Sequence, residues 1–482
     1  MTAEILSHIY TFFLNINFIF IIIVLFSKKN PTKIISWLLV LYFIPPIGFV
    51  LYLFFGINWR KRVIQARVSE SSYFQTLKEL PPKQALEQQI AASMEATKKR
   101  AIINIATFTT HLPVSWNNSI QLFNDTDDAF QAILFDISQA KHHIHLEYYI
   151  FQNDETGKLF KNLLLNKAKE KVKIKLILDA LGSKKGLDHG LLKDLHHPNI
   201  EISLFHPFFL LNLSANHRNH RKIVIIDGTI GYLGGMNIGN EYLGKDLRFG
   251  YWRDTVAKVS GDAVLSMQAI FFQDWFFTTK KKLQRNSYFF PDLADQAFGD
   301  CAVQIMPSSP HEKWDTIAQL YFEAIASAEK TLYITTPYFI PDEALLMALK
   351  TAALGGCDVK ILIPGKPDNM IVYLATFSFV EEVMEAGVEF YVYNPHRFIH
   401  SKVITVDGVF ATIGSANVDQ RSMNINFEIN ALIYNSQVVN KLNMDFLEDI
   451  KNSTKINSID IKKKNIIQKT AESVARLFSP IL

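Results

Sequence analysis

Cysteine is almost missing from this chain of 482 residues: there are two, Cys301 and Cys357. Neither sits in a metal-ligand spacing, so a disulfide framework and a thiolate zinc site are both excluded. Charge of one sign is scarce as well. A formal net charge of +4 suits anionic lipid or nucleic acid and selects neither. A basic stripe with interleaved aromatics, which single-strand binding needs, does not occur, and this argues against a nucleic-acid partner. Charged residues are only 20% against 49% hydrophobic. That is too apolar for an ordinary soluble enzyme and too charged for a many-span transporter, so the apolar excess must sit in one place.

It sits at the N-terminus. Residues 9–26 are uncharged and interrupted only by Thr11, Asn15 and Asn17, and residues 34–57 are uncharged throughout. Each run is long enough for a hydrocarbon core that needs about 20 residues, and the link 27–33 is short enough to be a turn. The reading is a two-helix membrane hairpin over 1–58, a multi-pass anchor. No small-residue cleavage site follows the first run, which disfavours a cleaved signal peptide. Lys28, Lys29 and Lys33 in the link place it on the cytoplasmic side, and Arg60, Lys61, Arg62 and Arg67 argue the same for the far end of the second run. Two full spans cannot satisfy both clusters. Pro45 and Pro46 can break the second run into a re-entrant element, so topology stays open, with a cytoplasmic catalytic part the favoured side. Residues 59–110, polar and carrying Pro81 and Pro82, read as a helical connector.

After residue 110 the chain says similar things twice. A helix-like run at 129–137 leads into the strand-like 144–151, and one at 317–328 leads into 332–339. Each is followed by a short acidic loop, a helix and a β-rich run, 172–178 and 359–363. Alternating helices and strands mean layered α/β domains, here 111–300 and 301–482. Each half closes on the same signature. His220, Lys222 and Asp227 return as His400, Lys402 and Asp407, and both are trailed by small residues and an asparagine, Gly234-Gly235-Met236-Asn237 and Gly414-Ser415-Ala416-Asn417. The spacing from Asp to the first small residue is identical in the two copies, and a matching pair with matching tails excludes coincidence.

The Ile/Val-rich run between His and Asp predicts a strand, and residues i and i+2 of a strand share a face. His220 then points with Lys222, and His400 with Lys402. Asp227 and Asp407 fall on the other face and precede glycine, a hairpin signal; a supporting turn is the favoured role over direct catalysis. The remaining groups suit a phosphodiester. Its oxygens gain negative charge during attack, and Lys222 and Lys402 beside them stabilise that charge differentially, with Asn237 and Asn417 donating further hydrogen bonds. One neutral imidazole attacks phosphorus while the other, protonated, serves the leaving alkoxide. Histidine titrates near neutrality, so neither metal nor cofactor is required.

These residues resemble the phospholipase D superfamily, whose hallmark is a duplicated His-x-Lys-x4-Asp signature. Within it the chain is similar to the bacterial cardiolipin synthase family, on the membrane hairpin, on Arg218-Asn219-His220-Arg221-Lys222, Trp252-Arg253-Asp254-Thr255 and Pro337-Tyr338-Phe339-Ile340-Pro341-Asp342, and on the tail Ala475-Arg476-Leu477-Phe478-Ser479-Pro480. The resemblance covers nearly the whole chain. It implies two pseudo-symmetric phospholipase D-type α/β sandwich domains behind the hairpin, in a bacterial plasma membrane. It also implies that two phosphatidylglycerol molecules become cardiolipin plus glycerol through a phosphatidyl-histidine, with His220 as nucleophile and His400 as acid and base. Glu428 and Asp254 would orient the histidine of the opposite half, Glu428 for His220 and Asp254 for His400. Gly235 departs from its counterpart Ser415; if the Ser415 hydroxyl binds phosphate, the first half lacks that contact.

The dyad chemistry itself chooses neither water over an alcohol nor lipid over DNA, so a hydrolase or nuclease of the same superfamily is the rival, and an inactive membrane scaffold the reading from another class. Residues 205–213 either receive acyl chains or form a buried strand and loop. The tail 466–482 reads as an amphipathic helix, with packing on the core favoured over membrane contact, and Lys462, Lys463 and Lys464 as a solvated turn, favoured over a contact with anionic lipid.

Overall fold

The computed structural model describes residues 2–26, 31–52, 99–205, 217–310, 312–457, 459 and 463–482. The chain divides into two compact units, Met1–Val68 and Ser69–Leu482.

In the first unit a helix, Thr2–Leu25, packs against two shorter ones, Pro31–Phe43 and Pro45–Leu51. The second apolar run is therefore not one helix, and the expected two-helix hairpin is a three-helix arrangement. The cause is Pro45. It lacks the N–H that Leu41 would receive four residues on, and Ile44 leaves helical geometry with φ −131°. Asn17 supplies what is missing: its buried amide donates to Leu41 O at 2.9 Å and Pro45 O at 2.8 Å, so the break is satisfied from the neighbouring helix. Trp37 and Phe20 close edge-on against Tyr52. Among the described residues no helix is long and apolar enough to cross a membrane.

The second unit is the duplicated α/β body. In the first half His143–Tyr148, helix Glu155–Lys169 and Lys173–Asp179 form a parallel crossover, with Ile144 opposite Ile174. In the second half Thr331–Thr335, helix Glu343–Leu354 and Asp358–Ile363 repeat it, with Leu332 opposite Val359. The acidic loops are helix caps: Asp154 accepts from Gly157 N (3.0 Å) and Asp342 from Leu345 N (2.9 Å). The motif strands Ile223–Ile226 and Val403–Val406 lie antiparallel against the first strand of each crossover, on its other side. Each then hairpins into a following strand, Ile230–Gly234 or Phe410–Gly414. All are buried on both faces, which explains their unbroken apolar runs.

The two halves are interlocked. Val114–Ser115 joins the second sheet on Ala302–Ser308, and Arg397–Ile399 joins the first sheet on Tyr251–Gly261. Between the sheets one core holds Ile223, Ile225 and Leu233 from the first half with Ile413, Ile429 and Ala431 from the second. Helix Arg100–Thr110, read from sequence as part of a polar connector, buries Ile102, Ile103 and Ala106 in the second half's core. Residues 59–98 of that connector lie outside the described residues, as do 206–216; Phe205 itself is buried in the shared core. The tail folds as helix Ile466–Arg476 packed on Met370–Met384, followed by a short turn Ser479–Ile481.

Candidate active site

Each motif histidine sits just before its strand rather than in it, and its backbone is held by the opposite half. Asn219 bridges Phe427, and His220 N donates to Phe427 O at 2.9 Å. His400 follows the borrowed strand Arg397–Ile399, and its N–H donates to Arg253 O at 2.8 Å. The residue after each acceptor is a carboxylate, and that carboxylate meets the ring. His220 Nδ1 lies 3.0 and 3.1 Å from the two Glu428 oxygens, and His400 Nδ1 lies 3.0 Å from Asp254 Oδ2. One backbone exchange thus sets two distances at once.

A ring that donates its Nδ1–H to such a carboxylate keeps a lone pair on Nε2, the form a nucleophile or base needs. The lysines close in from the same side. Lys222 Nζ donates to His220 O (2.7 Å) and lies 5.4 Å from the centre of the Tyr149 ring, and Lys402 Nζ reaches His400 O (2.5 Å) and His400 Nδ1 (2.9 Å). Tyr149 meets His220 edge-on, and Trp252 packs on His400.

Burial governs the charge states. It pulls His220 down to about 4 despite Glu428, and, with Lys402 beside it, pulls His400 down to about 3. It lowers Lys402 to about 8 and Lys222 well below its usual range. Glu428 is also buried, yet the charges of His220 and Lys222 hold it below the usual carboxylate value. Charge crosses between halves: Lys402 weighs on His220, and Lys222 on His400. The two histidine–lysine pairs therefore share one desolvated environment, where an arriving phosphodiester anion would restore protons to the bases around it.

Some expected residues lie elsewhere. Asp227 accepts from the backbone N–H groups of Lys141, His142 and His143 at 2.7 to 2.9 Å. Asp407 does the same for Glu329, Lys330 and Thr331, and adds Lys99 at 3.2 Å. Both sit in the hairpin turns at positive φ, 52° and 54°, followed by Gly228 and Gly408 at 70° and 68°, the two left-handed residues of a type I′ turn. They pin the turn to the start of the neighbouring strand and touch neither histidine. Ser415 is placed against Glu428. Its hydroxyl donates to Glu428 Oε2 at 2.5 Å and accepts from Ile429 N. Gly235, its counterpart, abuts Asp254: a Cβ there would lie 2.3 Å from Asp254 Oδ1. Asn237 accepts from Ile150 N, and Asn417 donates to Asp419.

Three partners escaped the motif reading. Arg221, between His220 and Lys222, points away and donates to Glu428 O (2.9 Å), Ser308 O (3.2 Å) and the Asp274 carboxylate. Asp179 accepts from Asn219 N at 3.1 Å, and Glu147 from the Asn219 amide. Asp179 ends a parallel strand at its carboxyl end, where α/β sites gather; nothing in the spacing marks Arg221.

The family model described as cardiolipin synthase, phospholipase D-like domain matches residues 133–275 and 321–450, and a phospholipase D-nuclease N-terminal model matches 16–56. A cardiolipin synthase of Alkalihalophilus pseudofirmus is 41% identical over 96% of this chain and 91% of its own. The major cardiolipin synthase of Bacillus subtilis is 40% identical over 99% of both chains. The crystal structure of a phosphatidylserine synthase from Haemophilus influenzae shares the fold, with a TM-score of 0.60 at 16% identity over 80% of this chain and 100% of that one. With one signature read twice, two halves exchanging strands to complete each other's histidine, and near-full-length likeness on this scale, the chain belongs to the cardiolipin synthase family of phospholipase D-like proteins.

Proposed function

We propose that the chain is a phosphatidyltransferase that makes cardiolipin from two phosphatidylglycerol molecules. The observation that carries this is the reciprocal pairing: His220 on Glu428 and His400 on Asp254, each partner supplied by the other half. Two equivalent imidazoles sharing one environment are what in-line exchange at a single phosphorus requires.

His220 Nε2 attacks the phosphorus of the first lipid. A P–N bond forms, the P–O bond to the headgroup glycerol breaks, and His400 gives its Nε2 proton to that oxygen. Glycerol leaves. His400 then takes the proton of the second lipid's glycerol hydroxyl, whose oxygen attacks phosphorus and breaks the P–N bond, giving cardiolipin. Lys222 and Lys402 stabilise the equatorial oxygens in both steps. Glu428 and Asp254 hold the rings in the Nδ1–H form, Ser415 holds Glu428, and Asp227 and Asp407 hold the turns. No metal is needed to generate the nucleophile, so a chelator leaves turnover unchanged.

The N-terminal unit serves as the anchor to a bacterial plasma membrane, a reading supported by the apolar runs 9–26 and 34–57 and the family match over 16–56. Retention in the membrane pellet after alkaline carbonate washing tests it; release into the wash contradicts it. The activity itself is tested with purified protein in detergent and labelled phosphatidylglycerol. Cardiolipin and glycerol in equal amounts are expected, whereas phosphatidic acid alone would make the protein a hydrolase.

A further inference from the structure

Among the described residues an apolar surface is left uncovered. Helix Ile466–Arg476 buries only Ala475, while Ile466 and Ile467 are 77% and 75% exposed and Leu477 just beyond it is 78% exposed. With Ile371 and Leu374 of helix Met370–Met384 and with Phe478 it walls a groove of about 600 Å³. The helix is not loosely attached. A capping box at Asn465 and Gln468 starts it, and two contacts with helix Met370–Met384 fasten its ends, Lys464 over the Phe377 ring at 5.2 Å and the ion pair Arg476–Glu382 at 2.8 Å. It is thus held with an apolar face outward, which a soluble surface avoids.

The groove borders a segment that reaches the catalytic groups. Two residues before Met370, Asp368 accepts from the Tyr338 hydroxyl, and its charge acts on Lys402. Lys366 donates to Arg248 O, in the loop whose tip, Leu247, is 99% exposed. Cations sit beside the apolar residues: Lys463, just before the helix, and Lys469, within it, are both exposed. An apolar face rimmed by cations matches the headgroup and acyl boundary of an anionic bilayer.

We propose that the catalytic unit docks on an anionic phospholipid bilayer through this rim, Met370, Ile371, Ile466, Ile467 and Leu477, so that substrate phosphate reaches the histidines while its acyl chains stay in lipid. The proposal deepens the reading of the site as a phosphatidyltransferase and rests on it for the substrate. It makes the second unit a membrane-facing body in its own right, independent of the N-terminal helices.

The test uses the full chain. Cys301 and Cys357 are buried, so Ile467→Cys offers one accessible thiol for an environment-sensitive fluorophore. Reconstituted in phosphatidylglycerol-containing vesicles, the probe is expected to shift to the blue and to be quenched by lipids carrying a quencher on the acyl chain. Emission untouched by the quencher overturns the proposal, and so does a blue shift that depends on protein concentration without lipid, since a second copy of the chain would then cover the groove. In a second arm, Ile467→Asp with Leu477→Asp is expected to lose ~10-fold or more of its turnover on vesicle phosphatidylglycerol while keeping turnover of dispersed short-chain phosphatidylglycerol. Equal turnover of wild type and variant on vesicles overturns it. If wild-type protein makes no cardiolipin from either substrate, the proposed function fails, and the quenching arm still decides the docking surface.

Discussion

At the scale of single residues the site rests on two carboxylates placed against two rings. His400→Ala removes the proton donor and acceptor and is expected to lower cardiolipin formation by ~10²–10⁴-fold, read as initial rate on labelled phosphatidylglycerol; a loss below tenfold contradicts that role. Ser415 and Gly235 give a sharper contrast, because they occupy equivalent positions behind the two carboxylates. Ser415→Ala removes one hydrogen bond to a charged group and is expected to slow turnover by about 10-fold. Gly235→Ala forces a methyl into Asp254, only 2.3 Å away, and must push that carboxylate off His400, with a loss of ~10²-fold or more. Equal effects of the two would refute the reading of these positions. The sequence showed Ser415 only as a hydroxyl in the motif tail, because its partner Glu428 arrives from a strand that strand periodicity cannot relate to it.

The same burial sets a pH dependence of stability. In the folded chain His220 and His400 stay neutral down to about 4 and about 3, whereas an unfolded histidine takes its proton near 6.5. Between roughly 6.5 and 4 the unfolded state binds more protons, so stability falls as pH falls through that window and is fully present above it. Melting temperature in detergent should therefore drop from pH 7 to pH 5, and drop less in His220→Asn with His400→Asn. Parallel curves for the two proteins would exclude the histidines as its cause.

At the scale of elements the duplicated order of helix, strand, helix and strand was legible, because the helices keep a period-3.6 apolar pattern and the strands buried on both faces read as unbroken apolar runs. The Asp-Gly turns were legible too. What they do was less so: Asp227 and Asp407 each collect three backbone N–H groups from the start of the adjacent strand. Asp227→Ala strands those donors and is expected to cost about 2–4 kcal/mol of stability, seen as a lower melting temperature with unchanged turnover per folded molecule. Lost turnover in fully folded protein would move Asp227 into the chemistry. The helix break at Ile44 was readable from Pro45, but the Asn17 amide that satisfies it was not, since it comes from the preceding helix. The strand exchanges were also invisible. Val114–Ser115 and Arg397–Ile399 are too short to carry a pattern, yet the second of them delivers His400 to Asp254.

At the scale of the whole molecule, duplication becomes function only because each half completes the other. Arg221 ties the first motif to Glu428 O and Asp274, and Arg253 reaches Asp449 at 2.9 Å across the halves. The two motifs are thereby tied to each other across the halves. From sequence the pairing of halves was a matter of resemblance; the physical reason, a backbone exchange beside each histidine, belongs to the fold. Chemical quenching during turnover of labelled phosphatidylglycerol, followed by peptide mapping under alkaline conditions that preserve phosphohistidine, tests this most directly. A phosphatidyl group on His220, absent in His220→Ala, is the expected result. Steady cardiolipin formation with no lipid on His220, or with the lipid on another residue, would contradict the account.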